Sequence, residues 1–308
     1  FLIGSLAAIT ASDAKRVLAW STVANLGLIV MCGGIGTDAA VWAGVMLIIF
    51  HAVAKCLLFL CVGVVEHKLH SRDVDTMSAL IIRMPQLGAM MLVGIAGMFL
   101  APFGMLISKW AVLKAVVDAS PALSLLVVFG SSATLFFWVK WMGKLVQTVG
   151  VPERIKNELH LGESIAMWGL TVLTFLACIL FPVISKIFIE PYIAGVYRLE
   201  HADFLSSGNV TIMIMMMGLV MLFPLSMFFR VRGDGKGEGG RGVKIVDPYL
   251  CGANVENGVK FLGSAGAVQT VAMNNYYMRN MISERWVMWW GAVFCAAMLI
   301  LMVVMAWK

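Results

Sequence analysis

The chain has 308 residues, of which 61% are hydrophobic and 13% charged, with a mean hydropathy of +0.91. A soluble domain carries about 25% charged residues, so the composition excludes an ordinary soluble enzyme. The formal net charge of +6 is not a nucleic-acid signature, because the basic residues sit in loops between apolar runs, as in a positive-inside membrane protein.

The expected fold class is all-α, a polytopic transmembrane helix bundle of about seven full spans after a truncated first helix. Phe1–Ala11 is apolar but only half a span long, and reads as the cut end of a longer helix in the C-terminal portion of a larger protein. The spans then run Val17–Gly34, Ala39–Val65, Pro85–Val117, Ala122–Leu145, Glu163–Ile189, Val210–Phe229 and Trp286–Trp307. Each approaches or exceeds the roughly 20 apolar residues that cross a bilayer. Helices are required because the lipid-facing backbone must satisfy itself, and runs this long do not fit barrel strands. The third span is expected to break at Pro102, and Pro182 lies near the end of the fifth.

Arg230–Arg285 is the one long polar segment. Its glycine- and charge-rich part, Arg232–Gly242, reads as a flexible connection. Asp247–Ser283 has aromatics and Asn pairs but no span. The chain thus divides into a membrane bundle over 1–229, a loop over 230–285 and a terminal helix over 286–308. One side of the membrane collects Lys15, Arg16, Lys68, Arg72, Arg83, Lys140, Lys144, Arg154, Lys156 and the basic loop, and is expected to be cytoplasmic. The other side holds little beyond Lys114, Lys186, Arg198 and Lys308.

The six cysteines form no CxxC pair, and five lie in apolar helical runs where Cys acts as a small hydrophobe. No disulfide framework, metal site or cofactor is expected. The 23 methionines, densest over Ile212–Met217, read as packing filler. His67 and His70 beside Glu66 lie in a basic loop and do not make a credible metal site. No Walker, GxGxxG, HExxH or nucleophile-elbow motif is present.

The informative residues are charges inside spans. Lys109 lies seven residues after Pro102, within Pro85–Val117. An ammonium at bilayer depth costs about 2.5–3.5 kcal/mol on insertion scales, so it needs a partner or a wet cavity. A proline nearby frees backbone carbonyls that could serve one. His51 and Lys55, in LIIFHAVAKCLLFL, are one turn apart on one helix face. Two titratable groups so placed can pass a proton directly or through a water, and Lys55 is too deep in its span to snorkel easily. Lys140 and Lys144, in FFWVKWMGKL, read as a basic end anchor with interfacial tryptophans. Lys140 would also be the way out for a path turning to that face. Asp13, Lys15 and Arg16 read as a helix start and a basic anchor.

Several of these segments together resemble one family. SDAKRVLAWSTVANLG is similar to the opening of a transmembrane helix in the antiporter-like subunits of complex I, the Mrp antiporters and the membrane-bound nickel–iron hydrogenases. HAVAKCLLFL resembles the helix that follows, and FLAPFGMLISKW resembles their second broken helix, with Lys109 at its central charged position. The resemblance covers most of Phe1–Leu145. FWVKWMGK and VDPYLCGANVENG are similar to segments of the energy-converting hydrogenase branch (Ech and formate hydrogenlyase type). Leu47 and Trp110 depart from relatives that carry a second histidine and an acid there.

The resemblance implies proton or sodium translocation driven by a redox module elsewhere. His51, Lys55 and Lys109 would form the exit-side half of a hydrated line across the mid-membrane. It implies a multi-pass subunit of the cell's inner membrane, partnered by other membrane subunits and a hydrophilic electron-transfer arm, with no nucleic acid and no bound electron carrier. The alternatives are a subunit of a multisubunit Na⁺/H⁺ antiporter and a structural anchor without conduction.

Overall fold

Apolar runs become α-helices wherever the computed structural model describes them. The structure describes residues 1–99, 104–147, 160–198 and 282–306, with residue 215 and short pieces at 254–255, 260–262, 266, 268–270 and 278. In chain order the helices are α1 (Leu2–Thr10), α2 (Ala14–Ile35), α3 (Asp38–Leu69), α4 (Leu80–Arg83), α5 (Pro85–Phe99), α6 (Gly104–Ala119) and α7 (Pro121–Val146). They continue as α8 (Leu161–Ile179), α9 (Phe181–Ile184), α10 (Glu190–Tyr197) and α11 (Glu284–Ala306). A 3₁₀ turn, Val74–Met77, precedes α4, and a π-helical turn, Ser185–Ile189, joins α9 to α10.

Among the described residues α2, α3, α7, α8 and α11 are each long and apolar enough to cross a membrane. The expected third span is present as two shorter helices, α5 ending at Phe99 and α6 starting at Gly104. Pro102 lies outside the described residues. So does the expected span Val210–Phe229, apart from the helical Met215. The expected fifth span runs further than the sequence suggested. Pro182 and Pro191 each sit in the first turn of a new helix, where a missing N–H costs little. Helical structure therefore continues to Tyr197.

Local chemistry explains the boundaries. The Asp13 carboxylate caps α2 by accepting from Arg16 N at 3.1 Å, and the Thr37 hydroxyl caps α3 by accepting from Ala40 N at 3.3 Å. Gly36, at φ 71°, closes α2 with its N–H on the Cys32 carbonyl; only glycine adopts that conformation without strain. The last turn of α3 carries His67 and Lys68, the sign that suits a helix C-terminus.

Helix α3 is the axis of the bundle and packs on α2, α5, α6 and α8. More than half of its most apolar window is buried (56%), against 6% for α11, which touches α1 at the bundle's margin. Small residues set the close approaches, as expected where helices meet in lipid. A Cβ on Gly4 would stand 2.7 Å from the Ala24 nitrogen, and one on Gly97 would meet Thr174 at 3.3 Å and Ala54 at 3.4 Å. Val30, Phe129, Trp110 and Phe188 point outward, as lipid-facing side chains do.

The loops at one end are laced together. Ala14 N donates to the Arg72 carbonyl at 2.8 Å and Val74 N to the Ser12 carbonyl at 2.9 Å, forming an antiparallel bridge between Asp13 and Asp73. Lys15 pairs with Glu66 at 2.6 Å, and Arg72 reaches Asp13 at 3.4 Å and Glu66 at 3.5 Å. This is the basic face read from the sequence. Within the segment read as loop there is a small antiparallel sheet, β1 (Asn254–Val255), β2 (Lys260–Leu262) and β3 (Val268–Thr270), with Lys260 opposite Thr270. No strand was expected there, because pieces of two or three residues show no usable alternation.

Candidate functional site

His51 and Lys55 lie on the buried side of α3, and Lys109 on the buried side of α6; their exposures are 7%, 5% and 9%. Trp110, the next residue, is 64% exposed, so the helix turns its lysine inward and its tryptophan to lipid. Lys55 does not snorkel. Its Nζ donates to the Leu18 carbonyl at 2.9 Å and to the Ser21 hydroxyl, both on α2. It also lies 5.1 Å from the ring centroid of Trp138 on α7, within cation–π range.

That end of the network is rich in exchangeable groups. The Leu18 carbonyl also accepts from the Ser21 and Thr22 hydroxyls, each at 2.9 Å. Ser21 can accept from Lys55 or donate to Leu18, so its hydroxyl can turn between two partners. One turn on, Asn25 Nδ2 donates to the Ser21 carbonyl at 2.9 Å, while its Oδ1 is buried without a partner among the described residues. Both ring nitrogens of His51 are likewise buried and unpartnered there. Buried polar atoms are ordinarily paired with protein or water, so this cluster has the composition of a hydrated pocket.

Lys109 Nζ donates to Thr134 Oγ1 at 3.5 Å, and that hydroxyl donates to the Ser131 carbonyl at 2.7 Å. A contact of 3.5 Å is at the weak limit of a hydrogen bond. Among the described residues it leaves the ammonium with spare donors, as a group that exchanges partners requires. Helix α3 packs on α6 and α6 on α7. Lys55 and Lys109 approach Trp138 and Thr134, which lie one turn apart on the buried face of α7, and His51 lies one turn before Lys55 on α3.

Lys140 is placed differently. It is half-buried, and its Nζ donates to the Ile9 carbonyl at 3.1 Å, in the last turn of α1. Its ammonium stands 5.8 Å from the Phe136 ring. Lys144 corrects the reading of FFWVKWMGKL as an interfacial anchor. It is 6% exposed and pairs with Asp75 at 3.3 Å. Trp138 and Trp141 are buried and stacked on each other at 5.9 Å, with ring planes 8° apart. Thr134, Phe137, Trp138, Trp141, Lys144 and Leu145 are all buried on α7, at the i, i+3, i+4, i+7 spacing of one face. That periodicity is the signal that places Lys144 inside.

The far end holds a second network that sequence reasoning did not find. Trp42 Nε1 donates to Ser185 Oγ at 2.8 Å, and Ser185 donates to Glu190 Oε1 at 2.7 Å. The π-helical turn brings Ser185 and Glu190 into register, through a Glu190 N–H bond to the Ser185 carbonyl. Tyr197 donates to the Gly36 carbonyl at 2.6 Å and ties α10 to the end of α2. Asp13, Lys15 and Arg16, by contrast, line a surface cleft of about 740 Å³ with Arg72 and Ser283, among the loop ion pairs.

Known proteins resemble this arrangement. Residues 1–137 match a family described as "NADH:quinone oxidoreductase/Mrp antiporter, TM". Hydrogenase-4 component B of Escherichia coli is 36% identical over 121 residues, covering 35% of this chain and 18% of that protein. An Na⁺/H⁺ antiporter subunit from Alkalihalophilus pseudofirmus is 34% identical over 123 residues, covering 35% of this chain and 15% of that protein. The matched stretch is thus less than a fifth of either relative's length. A chain of the membrane-bound sulfane sulfur reductase, an archaeal respiratory membrane complex, superposes with a TM-score of 0.55 at 22% identity. That likeness covers 64% of this chain and 39% of the other, and establishes the fold.

Proposed function

We propose that this chain is a proton- or sodium-translocating subunit of a redox-driven membrane complex, because residues 1–137 match the NADH:quinone oxidoreductase/Mrp antiporter transmembrane family. The observation that supports the reading is the burial of three titratable side chains, His51, Lys55 and Lys109, with Lys55 and Lys109 approaching Trp138 and Thr134 one turn apart on α7. A purely structural anchor has no use for them, since each charge adds an insertion cost of about 2.5–3.5 kcal/mol. In the proposed path an ion or proton moves between Lys109 and Lys55 past His51. The Ser21 and Thr134 hydroxyls orient the two ammonium groups, and water bridges any gap longer than about 3.5 Å. Lys140 belongs to the clamp on α1 in this scheme, with a place on the path as the alternative its own test decides.

The similarity to a protein named as a hydrogenase component supports a hydrogenase-type complex. The partners would be other membrane subunits and a hydrophilic electron-transfer arm, in the inner membrane. The basic face would be cytoplasmic, with 230–285 on that side and 1–229 and 286–308 as membrane parts. Modification of Cys251 from outside intact cells would overturn that orientation. The similarity to an Na⁺/H⁺ antiporter component supports a second reading, one subunit of a multisubunit Na⁺/H⁺ antiporter.

The test is Lys109→Ala and Lys109→Arg in the full-length complex, reconstituted in vesicles, with ions moved per electron as the readout. Both should assemble and both should lose translocation, because guanidinium keeps the charge but does not release its proton. Translocation by Lys109→Ala at the wild-type ratio sinks the reading and leaves the anchor. Loss of ion exchange in vesicles that support no electron transfer favours the antiporter.

A further inference from the structure

Lys144 sits in the last turn of α7, where a lysine normally reaches water, yet it is as buried as Lys55. Its partner is not buried to the same degree. Asp75, in the 3₁₀ turn of the basic face, keeps about a quarter of its side-chain surface exposed (24%). The pair therefore straddles a boundary, with the acid on the wet side and the amine on the dry side. Inward from Lys144 along the same face of α7 come Trp141 and Trp138, stacked, and Lys55 lies against Trp138. From Lys144 to Trp138 the helix rises about 9 Å, a gap a few waters would bridge. Beside it, Trp141 Nε1 is buried and has no partner among the described residues. An indole N–H in that position is usually hydrogen-bonded. An ion pair that merely fastened the turn to α7 would leave this donor unaccounted for.

Resting on the translocation reading above, with the proton as the ion, we infer that Asp75 and Lys144 are the gate through which the buried lysines exchange protons with the basic face. The Trp138–Trp141 stack is the dry wall of this gate, and Trp141 Nε1 anchors the bridging water. In the step itself Lys144 gives up one N–H proton, which passes through water to the neutral amine of Lys55 and forms a new N–H bond there. The Asp75 carboxylate then takes a proton from bulk water and passes it to the neutral Lys144, which restores the ion pair. Neither residue is oxidised or reduced.

The experiment uses the full-length complex in vesicles and compares Lys144→Arg and Asp75→Asn with Lys109→Ala. Lys144→Arg preserves the ion pair, so a fastening role predicts near-normal behaviour from it; Asp75→Asn keeps an acceptor for Lys144 but removes the counter-charge, so a fastening role predicts lower stability with translocation per electron unchanged in the complexes that assemble. The gate predicts complexes that assemble and transfer electrons but translocate protons about 100-fold more slowly, the low end of what a positioned proton donor contributes. Wild-type translocation by either variant overturns the gate. Should Lys144→Arg fail to assemble, Asp75→Asn decides alone. If Lys109→Ala is inactive while the Lys144 and Asp75 variants translocate normally, the gate falls and the central path stands. If Lys109→Ala translocates normally, the path falls and the gate with it.

Discussion

Lys140→Met separates a clamp from a path residue. The substitution keeps the length and apolar stem of the side chain and removes the donor to the Ile9 carbonyl, which lies 3.1 Å from Nζ. That carbonyl is among the last four of α1 and has no acceptor role inside the helix. A hydrogen bond from a charged donor is worth about 1.5–3 kcal/mol when well buried, and a cation at a helix C-terminus adds about 0.3–1 kcal/mol. Lys140 is half-exposed, so solvent screening lowers the sum, and about 1–2 kcal/mol remains. Helix α1 has nine residues, too few to hold its own last turn without tertiary help. A loss of 1–2 kcal/mol raises an open-state population roughly 5–30-fold. Hydrogen–deuterium exchange of the full complex should therefore show the last amides of α1 exchanging faster by about that factor, with ions per electron unchanged. Unaltered exchange in α1 refutes the clamp, and lost translocation with unaltered exchange puts Lys140 on the path.

Two further outcomes concern stability, measured as thermal unfolding of the purified complex. Asp13→Ala should cost about 0.5–2 kcal/mol through loss of the α2 cap, whereas Asp13→Asn, which still caps Arg16 N, should cost much less; equal losses would assign the effect to the partly exposed Arg72 pair instead. Trp42→Phe and Ser185→Ala should show a coupling of about 0.5–1.5 kcal/mol in a double-mutant cycle, the value of one buried hydrogen bond. Simple additivity would mean that their contact contributes nothing.

What the sequence made legible and what it hid follow one physical line. His51, Lys55 and Lys109 stood out because a charge within a membrane-length apolar run is costly wherever the helix goes, so their inward placement needed no knowledge of neighbours. The long helices α2, α3, α7, α8 and α11 followed from run length. Lys144 was hidden by a rule that is good on average: tryptophan beside lysine at a helix end usually marks the interface. Here Asp75 folds over that end and Lys144 is buried against it. Ser185 and Glu190 were hidden because their partner, Trp42, lies 143 residues from Ser185, and because a π-helical turn shifts the register that ordinary helical spacing assumes. Lys140 and Lys144, four residues apart, read alike in sequence. One binds the carbonyl of another helix and the other a carboxylate in a turn, a difference only the packed bundle supplies.

The contacts at the basic face close on themselves. Helix α1 leads into Ser12 and Asp13, which are zipped to residues 72–74. The same turn runs on to Asp75, held by Lys144, and to Ala79, whose N–H rests on the Lys144 carbonyl at 3.1 Å. Helix α7 carries Lys144 and Lys140, and Lys140 returns to α1. A ring of links has no free end, so it behaves as a truss. Cutting one member leaves a chain still fixed at both ends, and cutting two opposite members releases a flap. A push delivered to α1 by a neighbouring protein would thus reach the turn that bears Asp75 from both directions at once.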